Sequence, residues 1–106
     1  MAPLPPGAVA VIFSSRRNGV DPAGYDAAAA AMDRLAAAQP GYLGIESARD
    51  ADGFGITVSY WADEARARAW RDQPDHAAIR DSGRATWYDS YHTVVTQVTR
   101  AYRWQL

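Results

Sequence analysis

The chain has no cysteine, no lysine and only two histidines. Without cysteine there is no disulfide, no thiolate nucleophile and no Cys-ligated zinc or iron–sulfur centre. All eleven basic residues are arginine, which, beside the many alanines, reads as biased composition rather than a need for guanidinium. Acidic and basic residues nearly cancel to a net charge of −1, so no strong field draws the protein to nucleic acid or to an anionic membrane. The apolar run Ala8 to Phe13 is too short for a signal-peptide core, and no stretch could span a bilayer. A cytoplasmic protein is the expectation. Walker, G-x-G-x-x-G, G-x-S-x-G and H-E-x-x-H motifs are absent. His76 and His92, with no carboxylate pair at clear spacing, do not make a metal site.

What remains is one domain of 106 residues, large enough to bury roughly 65% of its unfolded surface. Residues 1–7 are Pro-rich and expected to be a flexible N-terminal segment; the domain proper covers 8–106. Ala8–Ser14 reads as a strand of small and β-branched residues, and "RRNGVD" as a solvated connection. Asp21 followed by Pro22 is a helix start. Tyr25, Ala28, Ala29, Met32, Leu35 and Ala36 then recur at helical spacing up to about Ala38, where Pro40 and Gly41 end the element. Tyr42–Arg49 and Ile56–Trp61 read as strands joined through "DADGFG", a hairpin signal. Asp63 caps a helix over Glu64–Asp72. Pro74 starts another piece, Asp75–Ser82, closed by Gly83. The segment Trp87–Trp104, dense in aromatic and β-branched residues, reads as one long strand with a bulge.

The order β-α-β-β-α-β is the α+β, ferredoxin-like pattern, with helices on one face of an antiparallel sheet. The other face should be polar in a monomer. Here both parities of the first and last strands carry apolar residues: Val9, Val11 and Phe13 against Ala10 and Ile12, then Val94 and Val98 against Tyr91 and Val95. A second sheet must cover what the helices leave, and a symmetric homodimer supplies one most simply.

The stretches "PGYLGIESARDADGFGITVSYW" (40–61), "ADEARARAW" (62–70), "DHAAIRDSGRATWY" (75–88) and the closing strand together resemble the antibiotic-biosynthesis-monooxygenase family of dimeric α+β barrels. The resemblance implies a small aromatic or quinol-type ligand held between sheet and helices, and cofactor-free oxygenase chemistry. In the quinone-forming members an asparagine, a tryptophan, a tyrosine and an arginine surround a phenolic substrate. Trp61 and Arg80 match two of these; Thr57 stands at the asparagine position and Ala67 at the tyrosine position. In the haem-degrading members Trp70 matches the helix tryptophan. Their asparagine falls at Ile12 or Phe13 and their histidine at about Arg80, so haem is the weaker option.

The residues allow two readings each. Trp61 and Trp70 are packing or pocket wall. His76 and Arg80 share a helix face: imidazole suits a proton shuttle and guanidinium a developing anion, or both are a solvated face paired to Asp72 or Asp75. Trp87 lines a pocket mouth or packs with Tyr60, Tyr88 and Tyr91. His92 is a structural group, an interface group or a pocket hydrogen-bond partner. The catalytic candidates are therefore His76 and Arg80, the substrate-binding candidates Trp61, Trp70, Thr57 and Trp87. A binding module of the same shape, without a base, is the alternative.

Overall fold

The computed structural model describes residues 3–106; Met1 and Ala2 of the Pro-rich segment lie outside the described residues. The elements run β1 (Val9–Arg17), α1 (Pro22–Ala37), β2 (Tyr42–Arg49), β3 (Phe54–Trp61), α2 (Glu64–Asp72), α3 (Pro74–Thr86) and β4 (Tyr88–Gln97). The strands form one antiparallel sheet in the order β2-β3-β1-β4. This is the ferredoxin-like arrangement expected, with the second helix split in two.

Local chemistry sets most boundaries. Asp21 sits at φ 49° and its carboxylate accepts from Gly24 N, with Pro22 in the first turn; this satisfies one of the helix's free N–H groups. Asp63 does the same for α2 through Arg66 N. Gln73 breaks the second helix with an extended backbone, then caps α3 by accepting from His76 N. In the β2–β3 hairpin Asp50 Oδ1 accepts from Asp52 N and Phe54 N, and Gly53 takes φ 94°. A side chain there would also press on the Arg17 carbonyl at 2.9 Å.

Strand alternation divides the sheet. Val9, Val11, Phe13 and Ser15 of β1 face the helices with Trp61, Ser59, Thr57 and Gly55 opposite them on β3. Ala10, Ile12 and Ser14 face outward beside Tyr60, Val58 and Ile56 of β3 and Thr96, Val94 and His92 of β4. No helix covers that outer face. It carries Ile56 and Val94 at 41% and 37% exposure, and Phe54 at its rim.

Three expectations need correction. The last strand ends at Gln97, not Trp104. Gln97 pairs with Val9, the first residue of β1, and after Val98 N donates to Ala8 O there is no ladder left. Residues 99–106 therefore leave the sheet, although their composition favours strand. Helix α3 does not stop at Gly83 but runs to Thr86. Gly83 is there for room: a Cβ would lie 2.8 Å from the Tyr88 ring. Finally, β1 continues through "SRR" to Arg17, so Arg16 and Arg17 are strand residues; the ladder to β4 shifts register between them.

Candidate functional site

The two ends of the helix-covered face are built differently. At the end where β1 begins, β3 delivers Trp61, α1 delivers Ala36, and α2 delivers Ala67 and Trp70. With Val9 these form the buried core, and Val11, Met32, Leu35 and Tyr42 pack against it. Trp61 has no exposed surface, and its indole N–H donates to Ser59 Oγ at 3.0 Å. Trp61 and Trp70 stack at 5.6 Å between centroids, and Trp70 stacks in turn on His76 at 3.9 Å. In the single chain both tryptophans are core.

His76 enters this stack because Pro74 and the Gln73 cap place it in the first turn of α3. Its Nδ1 lies 2.6 Å from the Trp70 carbonyl oxygen. Burial pushes its pKa below the ordinary histidine value; the Trp70 carbonyl opposes this and the nearby Arg80 charge adds to it. A neutral imidazole beside a carbonyl must donate from Nδ1, which leaves the Nε2 lone pair as an acceptor. Arg80, one turn further on, donates from Nη1 to the Arg71 carbonyl at 3.1 Å. Its Nε is enclosed without a hydrogen bond, 3.9 Å from Asp81 Oδ1. Asp72 pairs with Arg71 instead, and that guanidinium holds its carboxyl below the usual value. Neither Asp72 nor Asp75 is paired with His76 or Arg80; the α2–α3 corner uses backbone carbonyls.

Trp61, Trp70, His76 and Arg80 thus form one connected group. Thr57 lies on the same face of β3, about 13 Å from Trp61 along the strand, opposite Phe13 and Ser47. Trp87 and His92 are elsewhere. His92 is exposed on the outer face opposite Ser14. Trp87 belongs to the other end of the sheet.

That other end is aromatic and cationic. Arg49 reaches across β3, where Gly55 leaves it space; a Cβ would sit 2.7 Å from its guanidinium carbon. It donates to Gly53 O at 2.6 Å, Ser15 Oγ at 2.8 Å, Tyr25 Oη at 3.1 Å and Ser15 O at 3.3 Å. The Arg17 guanidinium lies 3.8 Å from the centre of the Tyr25 ring. Trp87 and Tyr88 meet Tyr25 edge-on at 5.9 and 6.1 Å, and Phe13 packs on Tyr88 and Tyr91. Burial pushes the Tyr88 phenol well above its usual pKa, and its neighbour Tyr25 adds to this, against the pull of Arg49 and Arg17. Sequence reading missed this cluster. Only the hairpin register, which sets Arg49 opposite Gly55, points to it.

On the outer face, Tyr60 Oη donates to Glu46 at 3.1 Å, and burial followed by that carboxylate raises the Tyr60 pKa. An open groove of about 330 Å³ lies at the hairpin, lined by Ala48, Arg49, Asp50, Phe54, Gly55 and Ile56. Among the described residues no three His, Asp or Glu side chains converge, and no helix is long and apolar enough to cross a membrane.

Comparison with known proteins agrees with this architecture. An uncharacterized Bacillus subtilis protein, YqjZ, is 50% identical over 91 residues, spanning 86% of this chain and 79% of the relative. The crystal structure of SnoaB, a cofactor-independent oxygenase from Streptomyces nogalater, superposes with a TM-score of 0.74 at 20% identity, over 94% of this chain and 97% of that one. A dimeric ferredoxin-like protein of unknown function from Thermobifida fusca superposes at 0.72 and 20% identity, over 88% and 92% of the two chains. At such identities the structural likeness carries the fold alone. Residues 9–82 match the antibiotic biosynthesis monooxygenase family, and with most of the chain inside that match, the protein belongs to this family.

Proposed function

We propose that the protein is a cofactor-independent oxygenase for a small aromatic, quinol-type substrate held between sheet and helices. Without a redox cofactor the substrate itself must supply the electrons, so it has to become an electron-rich anion first. His76 is the base. Its Nδ1–H is anchored on Trp70 and its Nε2 makes no hydrogen bond among the described residues, so a phenolic proton has one acceptor in a fixed direction. Arg80 lies one turn along α3 and stabilises the resulting phenolate electrostatically. The anion then reduces dioxygen. One oxygen atom joins the ring carbon and the other leaves as water with two substrate hydrogens, so a phenol with an open para position becomes a quinone. The observation that carries the reading is the neutral, oriented imidazole at the α2–α3 corner.

The test is oxygen consumption with an anthrol and a hydroquinone panel, in the presence of chelator. Turnover that falls at least tenfold in both His76→Gln and Arg80→Gln supports the reading. No turnover with any member of the panel rejects it. Thermal stabilisation by the same compounds without turnover identifies the alternative, a binding module. The fact that both side chains also fasten α2 to α3 favours that second reading. A Soret band on adding haemin would instead indicate haem.

The protein further acts as a homodimer through its uncovered sheet face. Ile56, Val58, Ile12 and Val94 form an apolar strip that no helix shields. Sedimentation at micromolar concentration should give twice the chain mass, and Ile56→Asp with Val94→Asp should give a monomer.

A further inference from the structure

The connection between β1 and α1 carries the only asparagine of the chain, Asn18, and a glycine follows it. The oxygenase reading does not use this loop. Asn18, Gly19 and Val20 are all exposed, yet the Asn18 side chain is held at both ends of its carboxamide. Its Nδ2 donates to the Thr86 carbonyl, 68 residues away at the end of α3, at 2.8 Å. Its Oδ1 accepts from Val20 N, also at 2.8 Å. Its backbone N donates to Trp87 O at 3.0 Å. Asn18 therefore clasps the start of the loop to the α3–β4 junction.

The bond from Val20 N folds the carboxamide over the Gly19 peptide, because the ring it closes contains both Asn18 Cγ and Gly19 N. Gly19 N makes no hydrogen bond among the described residues. Glycine has no Cβ to hinder its nitrogen, and even a Cβ built there would meet nothing within 4 Å. These are the parts a cyclisation needs. The nucleophile has no other partner, the carbon it attacks lies in the same small ring, and an N–H already sits on the oxygen where negative charge develops. The other turn of this type, Asp52-Gly53, differs: Gly53 N donates to Asp50 O at 3.2 Å. Gln39 and Gln73 both precede proline, whose nitrogen has no N–H to react.

We propose that Asn18–Gly19 is a self-modification site, a deamidation that unfastens the β1–α1 loop from α3. Gly19 N attacks Asn18 Cγ while its proton passes to hydroxide. The bond from Cγ to Nδ2 breaks, and that nitrogen takes a proton from water and leaves as ammonia. Water then opens the cyclic imide at either carbonyl, giving an aspartyl or an isoaspartyl link. Nothing is oxidised or reduced, and water is the one co-reactant. In both products the amide donor to the Thr86 carbonyl is gone, and the carboxylate that replaces it can only accept. The clasp cannot re-form.

The test incubates the native full-length protein and the same chain unfolded in urea side by side, at mildly alkaline pH in an amine-free buffer. Mass spectrometry of the tryptic peptide that begins at Asn18 measures conversion, and enzymatic methylation of isoaspartate measures the second product. The native protein should convert at position 18 at no less than about a third of the unfolded rate. Gly19→Ala, which crowds the nucleophile, should slow conversion of the native protein about tenfold. Val20→Pro, which removes the N–H on Oδ1, should slow it about fivefold. Asn18→Asp, which has the side chain of one product, should melt about 4 °C lower. Native Asn18 still intact when half of the unfolded chain has converted overturns the proposal. So does a Gly19→Ala or Val20→Pro protein that converts as fast as the wild type, and an Asn18→Asp melt equal to the wild type removes the clasp. Should either loop variant fail to fold, the comparison of native with unfolded wild type and the Asn18→Asp melt decide between the same outcomes.

Discussion

The two ends of one sheet face solve the burial problem in opposite ways. Where β1 starts, Trp61, Trp70, Val9 and Ala36 meet with hydrocarbon and ring surface alone, and the only polar atoms admitted are paired at once, as Trp61 Nε1 is with Ser59. Where β1 ends, two arginines and three tyrosines do the filling, and Ser15 is almost fully buried among them. The first end gains from area and shape. The second depends on satisfied hydrogen bonds and on cation–π contact. A core of this second kind costs more to assemble, and two of the three enclosed donors without partners among the described residues, Arg17 Nε and Trp87 Nε1, lie there.

The largest effect expected from breaking that contrast is at the apolar end. Trp61→Ala removes a fully buried indole and should cost about 3–5 kcal/mol, a drop in Tm of roughly 15 °C or more for a domain of this size; a melt followed by circular dichroism checks it. Arg49→Met should come next. It keeps the aliphatic stem but removes the Arg49 donor from Ser15 O, two hydroxyls and Gly53 O, the last of which keeps Arg17 N, a loss of about 2–3 kcal/mol in urea unfolding. If Arg49→Met matched Trp61→Ala, the two ends would be equal in weight and the contrast would fail. Gly83→Ala follows, at about 1 kcal/mol destabilising. Alanine gains roughly 1 kcal/mol of helix propensity, but its Cβ would lie 2.8 Å from the Tyr88 ring, an overpacking cost of about 1–3 kcal/mol. A stabilised Gly83→Ala would show that the tyrosine end is loose.

The smallest effect is the pH dependence set by His76. Its folded pKa is depressed below the unfolded value. Above the unfolded pKa, about 6.5, the ring is neutral in both states and stability does not change with pH through this group. Below it the unfolded chain binds a proton that the native protein resists, so stability falls as pH drops toward the folded pKa. His76→Phe, which keeps the stack on Trp70 without a titrating group, should flatten the decline in Tm between pH 7.5 and 5. An unchanged slope would place the titration elsewhere.

The local elements were legible in sequence at both ends. Tyr25 to Ala36 repeat at helical spacing, Asp21-Pro22 and Asp63 mark helix starts, and Asp52-Gly53 marks the hairpin; each is a local rule, and each holds in the structure. Trp61 was readable as a buried strand end, and His76 and Arg80 as neighbours on one helix face. Their actual partners were not readable. Both bind backbone carbonyls of α2, at Trp70 and Arg71, because the break at Gln73 folds α3 back across the end of α2. The same limit hid the arginine end. Arg17, Tyr25, Arg49 and Trp87 are up to 70 residues apart in sequence, and no spacing rule joins them.

By itself, then, the chain's order of residues settled where most helices and strands begin and that both sides of the sheet are apolar, while the family came from resemblance. The elements and the apolar faces depend on periodicity, capping and turn chemistry, which act over a few residues. Where the last strand stops, why Gly83 lies inside a helix and which arginines lack an acid were decided only in three dimensions. A strand can extend no further than its neighbour, a glycine is required only where another ring approaches, and a charge is unpaired only once the whole fold has placed every carboxylate elsewhere.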